Sequence, residues 1–155
     1  TEIYPLSLHD ALPILASPVR GTELSAGIDF FIPEDWNDHK PHVIGPGEDV
    51  LIPSGIKAKV PKGYALIAFN KSGISTKQKL IVGACVVDED YQGEIHIHLI
   101  NTSKTMGVTI GPGMKVAQFI LIPVSYAMLE EVDLDDLYTE ATARGEGGFG
   151  STGNK

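Results

Sequence analysis

The sequence predicts an all-β domain of jelly-roll or barrel type, and three observations lead there. Seventeen glycines and ten prolines break the 155-residue chain into short runs. Those runs are rich in β-branched residues. The run 94–101 alternates with period two, placing Ile95, Ile97 and Leu99 on one face and Glu94, His96 and His98 on the other. Its apolar face must be buried. At 43% hydrophobic residues the chain suffices for one domain with a genuine core.

In chain order, strands are expected over 26–32, 49–52, 55–59, 64–69, 80–82, 84–87, 94–101, 108–110 and 115–124. Pro46-Gly47, Pro53-Ser54-Gly55, Pro61-Lys62-Gly63 and Gly111-Pro112-Gly113 supply the turn chemistry between them. The one short helix expected spans 74–79, with Ser72 placed to cap its N-terminus. No internal repeat is visible, so edge strands must be paired or covered. Residues 1–16 lack alternation and read as an atypical leader, disordered or artefactual, ahead of a β domain over 17–143. The stretch 34–42 resembles a surface insertion where a partner could bind.

A net charge of −8 argues against nucleic-acid binding, because no Lys/Arg stripe is present to displace phosphate counterions. A small polyanion needs only a few local cations. No apolar run approaches the roughly 20 residues of a membrane-spanning helix, and 6–15 lacks the positive start of a signal peptide. We therefore expect a soluble, cytoplasmic protein without membrane association. A single cysteine, Cys85, precludes an internal disulfide and agrees with a reducing compartment.

Five segments concentrate chemistry. Ser25-Ala26-Gly27-Ile28-Asp29-Phe30 places a carboxylate inside an apolar strand, where Asp29 must be ion-paired or hold a metal's waters. Asn70-Lys71-Ser72-Gly73-Ile74-Ser75 puts an ammonium and two hydroxyls at the expected helix start, suited to phosphate or to an ordinary capped turn. From Gly83 through Cys85 to Asp88-Glu89-Asp90-Tyr91, an apolar strand runs into carboxylates and a ring. Such a carboxylate can hold water as a general base, and such a ring can pack under a sugar, although an acidic turn would look the same. Gln118 interrupts the apolar strand 115–124 and needs a phosphate oxygen or neighbouring backbone as partner. From Arg144 the chain turns glycine-rich around Phe149, Gly150, Ser151 and Thr152, which is either a disordered tail or a flexible phosphate grip.

In order and spacing these segments, from Ala26 to Gly153, resemble the five motifs of the trimeric dUTP diphosphatase (dUTPase) family, the third and fifth most specifically. The resemblance implies a jelly-roll-like fold, a homotrimer with exchange of the 144–155 arm, and sites assembled from three chains. It implies hydrolysis of dUTP to dUMP and pyrophosphate, limiting uracil in DNA and supplying dUMP for dTMP synthesis. Asp88 would activate the water that attacks the α-phosphorus, and Tyr91 would lie under the deoxyribose. The hairpin with Val82, Ala84, Cys85 and Val87 would read uracil through its backbone. Lys71, Ser72, Gly73 and Gln118 would bind phosphates, as would Arg144, Ser151 and Thr152 with Gly150, while Phe149 stacks on the base. Asp29 would hold waters on Mg²⁺, which neutralises and orients the triphosphate.

Some positions depart from the pattern. Lys71 stands where arginine is usual and cannot repeat its bidentate fork. Met114-Lys115 replaces an acidic-arginine pair, and Cys85 replaces a glycine, so its side chain must point away from the base. Two other readings compete: a dCTP deaminase on a similar fold, and a non-catalytic regulatory protein. Deamination would use a glutamate about where His98 stands, whereas Asp88, Tyr91, Arg144 and Phe149 favour a working dUTPase. His96 and His98 share a strand face without a third metal ligand in view and receive no role.

Overall fold

A computed structural model describes residues 7–10 and 16–148. The strands are Ser7–Asp10 (β1), Val19–Arg20 (β2), Ile28–Phe31 (β3), His42–Ile44 (β4), Asp49–Pro53 (β5), Ile56–Lys59 (β6), Tyr64–Asn70 (β7), Leu80–Val82 (β8), Val86–Val87 (β9), His96–Asn101 (β10), Val108–Ile110 (β11) and Lys115–Pro123 (β12). Each strand expected from the sequence is present. β1, β2 and β4 were not anticipated, being too short or too irregular to show a period. β1, inside the stretch read as a leader, pairs antiparallel with β6.

All pairings are antiparallel. One sheet has the order β2-β3-β12-β7-β9, a second the order β5-β10-β8, and β1-β6 and β11-β4 form two-stranded ribbons. The fold is therefore all-β, as the punctuation of the sequence predicts. Alternation decides what each strand buries: Ile95, Ile97 and Leu99 are each 1% exposed, while His96 faces outward. These meet Phe30, Ile52, Leu66, Leu80 and Phe119 in one core. The rings of Phe30 and Phe119 lie 4.2 Å apart at a 41° tilt, linking β3 to β12.

The expected helix is a wide π-type turn over Ile74–Gln78, ended by Lys79 in the left-handed region at φ 61°. Ser72 does not cap it; no side chain does. A further helical turn, Trp36–His39, falls in the insertion-like stretch, where Asn37, Asp38 and His39 all have φ between 53° and 61°. The Asn37 amide braces it by donating to the carbonyls of Lys40 and Pro41.

The chain divides into two compact units, Thr1–Ser125 and Tyr126–Lys155. The described part of the second contains one helical turn, Leu134–Leu137 (α1), and no buried residue. Met128 and Leu129 are 96% and 99% exposed.

Candidate active site

The third segment of the sequence builds one wall of a cleft. β8 leads into a hairpin whose return strand, β9, is paired with β7 through Val86 and Val87. Successive amides on the outward arm are each engaged. The Val82 N–H donates to Asn70 Oδ1 at 2.7 Å, the Gly83 N–H to the His98 carbonyl at 3.0 Å, and the Ala84 N–H to His98 Nδ1 at 3.0 Å. On the return, the Cys85 carbonyl accepts from the Ala68 N–H at 2.8 Å. The hairpin is thus tied to two neighbouring strands, β7 and β10.

Behind it lies a cleft of about 260 Å³ lined by Ala84, Cys85, Val87, Tyr91, His96 and Phe119, among others. Cys85 is half-buried and packs against the core. Asp88, exposed, follows Val87 at the end of β9, and its carbonyl accepts from the Tyr91 N–H at 3.2 Å, closing a tight turn. Tyr91 folds back so that its hydroxyl donates to the Glu94 carbonyl at 2.9 Å. Its ring covers Gly93, where a Cβ would come within 2.4 Å of the ring's Cζ. Only glycine leaves that space. The turn therefore presents a free-edged carboxylate and an aromatic ring beside an apolar cleft of a size suited to a planar base.

A second cluster joins the first, second and fourth segments. Asp29, 8% exposed on β3, accepts a hydrogen bond from Lys71 on Oδ1, and Lys115 Nζ lies 3.5 Å from Oδ2. A register shift in β12 between Lys115 and Ala117 accompanies this reach, and Lys115 also sits 5.3 Å over the Phe31 ring. Two ammonium groups against one carboxylate leave the cluster net positive within an acidic chain, a local surplus that suits an anion. Asp29 adopts the ion-paired state, one of the two readings its burial allows. Lys115, standing where the family pattern has arginine, ion-pairs with Asp29 across the sheet.

Gln118 finds neighbouring backbone, its Nε2 donating to the Asn70 carbonyl at 2.9 Å. Its other end explains Gly27, where a Cβ would come 2.2 Å from Gln118 Oε1. Ser72 and Gly73 are exposed at the start of the π-type turn, next to Lys71. Asn70, which no sequence argument singled out, connects the two clusters by accepting from Gln118 through its carbonyl and from Val82 through its side chain. Its only signal was its place at the head of the second segment.

In the second unit Arg144 is exposed, its Nε donating to the Gly147 carbonyl at 2.8 Å across a glycine turn. Phe149, Gly150, Ser151 and Thr152 lie outside the described residues. Among the described residues no group of three or more His, Cys, Asp or Glu side chains converges as a metal cage, and no helix is long and apolar enough to cross a membrane.

The family model described as dUTPase matches residues 15–153, spanning all five segments. The chain belongs to the dUTPase family. Two relatives show how far the likeness runs. The deoxyuridine 5′-triphosphate nucleotidohydrolase of Maricaulis maris is 38% identical over 161 residues, 99% of this chain and 96% of that one. Its counterpart from Mus musculus is 40% identical over 139 residues, 88% of this chain and 78% of the relative. Among solved structures, the Staphylococcus bacteriophage 80alpha dUTPase with dUPNHPP superposes with a TM-score of 0.82 at 22% identity, covering 97% of this chain and 99% of the other. The dUTPase from phage phi11 of S. aureus gives 0.73 at 21% identity, covering 87% and 100%. At that identity these two establish the dUTPase fold alone.

Proposed function

We propose that this chain hydrolyses dUTP to dUMP and pyrophosphate, with Asp88 as general base. The observation that carries the reading is the Asp88–Tyr91 turn beside the cleft, in a chain whose relatives are deoxyuridine 5′-triphosphate nucleotidohydrolases. Uracil enters the cleft behind the hairpin, with Tyr91 under the deoxyribose. Asp88 takes a proton from a water molecule, the water oxygen bonds to the α-phosphorus, and the bond to the bridging α–β oxygen breaks, releasing pyrophosphate. Because the amides of Val82, Gly83 and Ala84 are already engaged, the base is read by hairpin groups beyond Ala84. In the cell this reaction limits uracil in DNA and supplies dUMP for dTMP synthesis.

Ser72, Gly73 and the net positive cluster around Lys71 and Lys115 face the phosphates. Lys71 retains donors for this, since an ammonium has three and Asp29 takes one. A Staphylococcus phage phi11 dUTPase structure is described as coordinating a structural Mg(II) ion. Here Asp29, with two ammonium groups on its carboxylate, does not fit a holder of a cation's waters; it anchors the lysines. Mg²⁺ carried by the triphosphate rather than by a protein cage would neutralise and orient it in the site.

The chain works as a homotrimer in this reading, the 144–155 arm closing over a neighbour's site with Arg144, Ser151 and Thr152 on phosphates, Gly150 beside them and Phe149 on uracil. The exposed Met128 and Leu129 of the second unit support a role for another copy in covering that unit. Hydrolysis in ¹⁸O-enriched water tests the chemistry. The label should appear in dUMP; label in pyrophosphate would place the attack at the β-phosphorus and overturn the mechanism.

A further inference from the structure

His98 stands on β10 at the centre of the β5-β10-β8 sheet, and both of its ring nitrogens are engaged. Nδ1 accepts from the Ala84 N–H at 3.0 Å, so it must be the unprotonated nitrogen. Nε2, carrying the proton, lies 3.0 Å from Asp49 Oδ2 on β5. Asp49 is the sole charged side chain on β5, and β8 has none. One carboxylate therefore fixes the tautomer. The ring also occupies the space over Gly83, where a Cβ would come 2.1 Å from Nδ1. With the Gly83 N–H on the His98 carbonyl, one residue holds two consecutive amides of the hairpin that walls the cleft.

We propose that His98, oriented by Asp49, is a positioning residue for nucleobase recognition: it sets the hairpin at Gly83 and Ala84 and thereby the affinity and selectivity for the base. The proposal rests on the dUTP reading above. The ring's hydrogen bonds go to the Ala84 N–H and to Asp49, away from the acidic turn of Asp88. Its influence falls on binding through the cleft wall, which Ala84 and Cys85 line.

Steady-state pyrophosphate release from dUTP and dCTP by the full chain, for the natural protein, His98→Ala and His98→Asn, tests this, together with amide hydrogen exchange at Ala84. His98→Ala should raise KM for dUTP about tenfold, the weight of one lost hydrogen bond and a loosened hairpin, with kcat within about twofold and a narrower dUTP preference. His98→Asn, whose side-chain oxygen falls near the Nδ1 position, should recover most of the loss. Ala84 exchange should accelerate in His98→Ala while Leu99 stays protected, which separates a loosened hairpin from a failed fold. KM and selectivity in His98→Ala within twofold of the natural protein, or an Ala84 amide equally protected in both, would overturn the role of His98 alone. Absence of dUTP turnover in the natural protein would overturn the functional reading, and the base-reading role with it.

Discussion

Asp88 sits where β9 gives out into a turn, exposed and three residues before a tyrosine whose ring is clamped over a glycine. Asp88→Asn keeps the size and hydrogen-bonding outline but removes the proposed base, so kcat should fall by about 10² to 10⁴ while the melting temperature is preserved. Thermal denaturation run beside the assay checks both halves. Asn101 presents the opposite case, fully buried and structural. Its amide donates to the carbonyls of Ile44, Gly45 and Met106 while its oxygen accepts from the Ser103 N–H. Asn101→Ala strands these groups and should cost about 1–3 kcal/mol or more, read as a lower urea midpoint at unchanged m-value. The turn at Asp88 was legible in the sequence because an acidic turn after an apolar strand is a local pattern. Asn101, Asn70 and the Asp49–His98 pair were not, since their partners lie across the sheets.

Among the elements, β12 does most to join core and site. It is flanked by β3 and β7, contributes Phe119 to both the core and the cleft, and carries Gln118 and Lys115 to the second cluster. Phe119→Ala should lower stability by about 3–5 kcal/mol, in the range for a buried aromatic truncated within a packed core, and should weaken nucleotide binding as the cleft floor recedes. Equilibrium denaturation measures the first effect and KM the second. Strands of this kind were visible as β-branched runs between turn signals. The register shift in β12 was not, because a bulge has no composition of its own, and it accompanies the Lys115–Asp29 pairing, whose partners are distant in sequence. The expected Ser72 cap failed for a related reason: the turn winds too widely to be an ordinary helix start.

For the whole molecule, the all-β class and the dUTPase family followed from punctuation and from five ordered segments. The division after Ser125 was not visible in composition, because 126–148 carries apolar residues such as Tyr126, Met128 and Leu129 yet buries none of them. In the proposed trimer such a segment is completed by another copy. Removal of residues 144–155 should leave the β domain folded, with unchanged far-UV circular dichroism, and reduce dUTP turnover at least about 100-fold, since in the proposed mechanism the arm brings Arg144 and base stacking to the closed site. Turnover within tenfold of the full chain would remove the arm from the mechanism.

The most direct measurement is pyrophosphate release with Mg²⁺ from equal concentrations of dUTP, dCTP, dTTP and UTP. The proposed reading predicts fast release from dUTP and little from the other three: a different base edge would fail at the hairpin, a methyl group would clash, and a 2′-hydroxyl would meet the Tyr91 ring. Equal rates on all four would contradict the assignment.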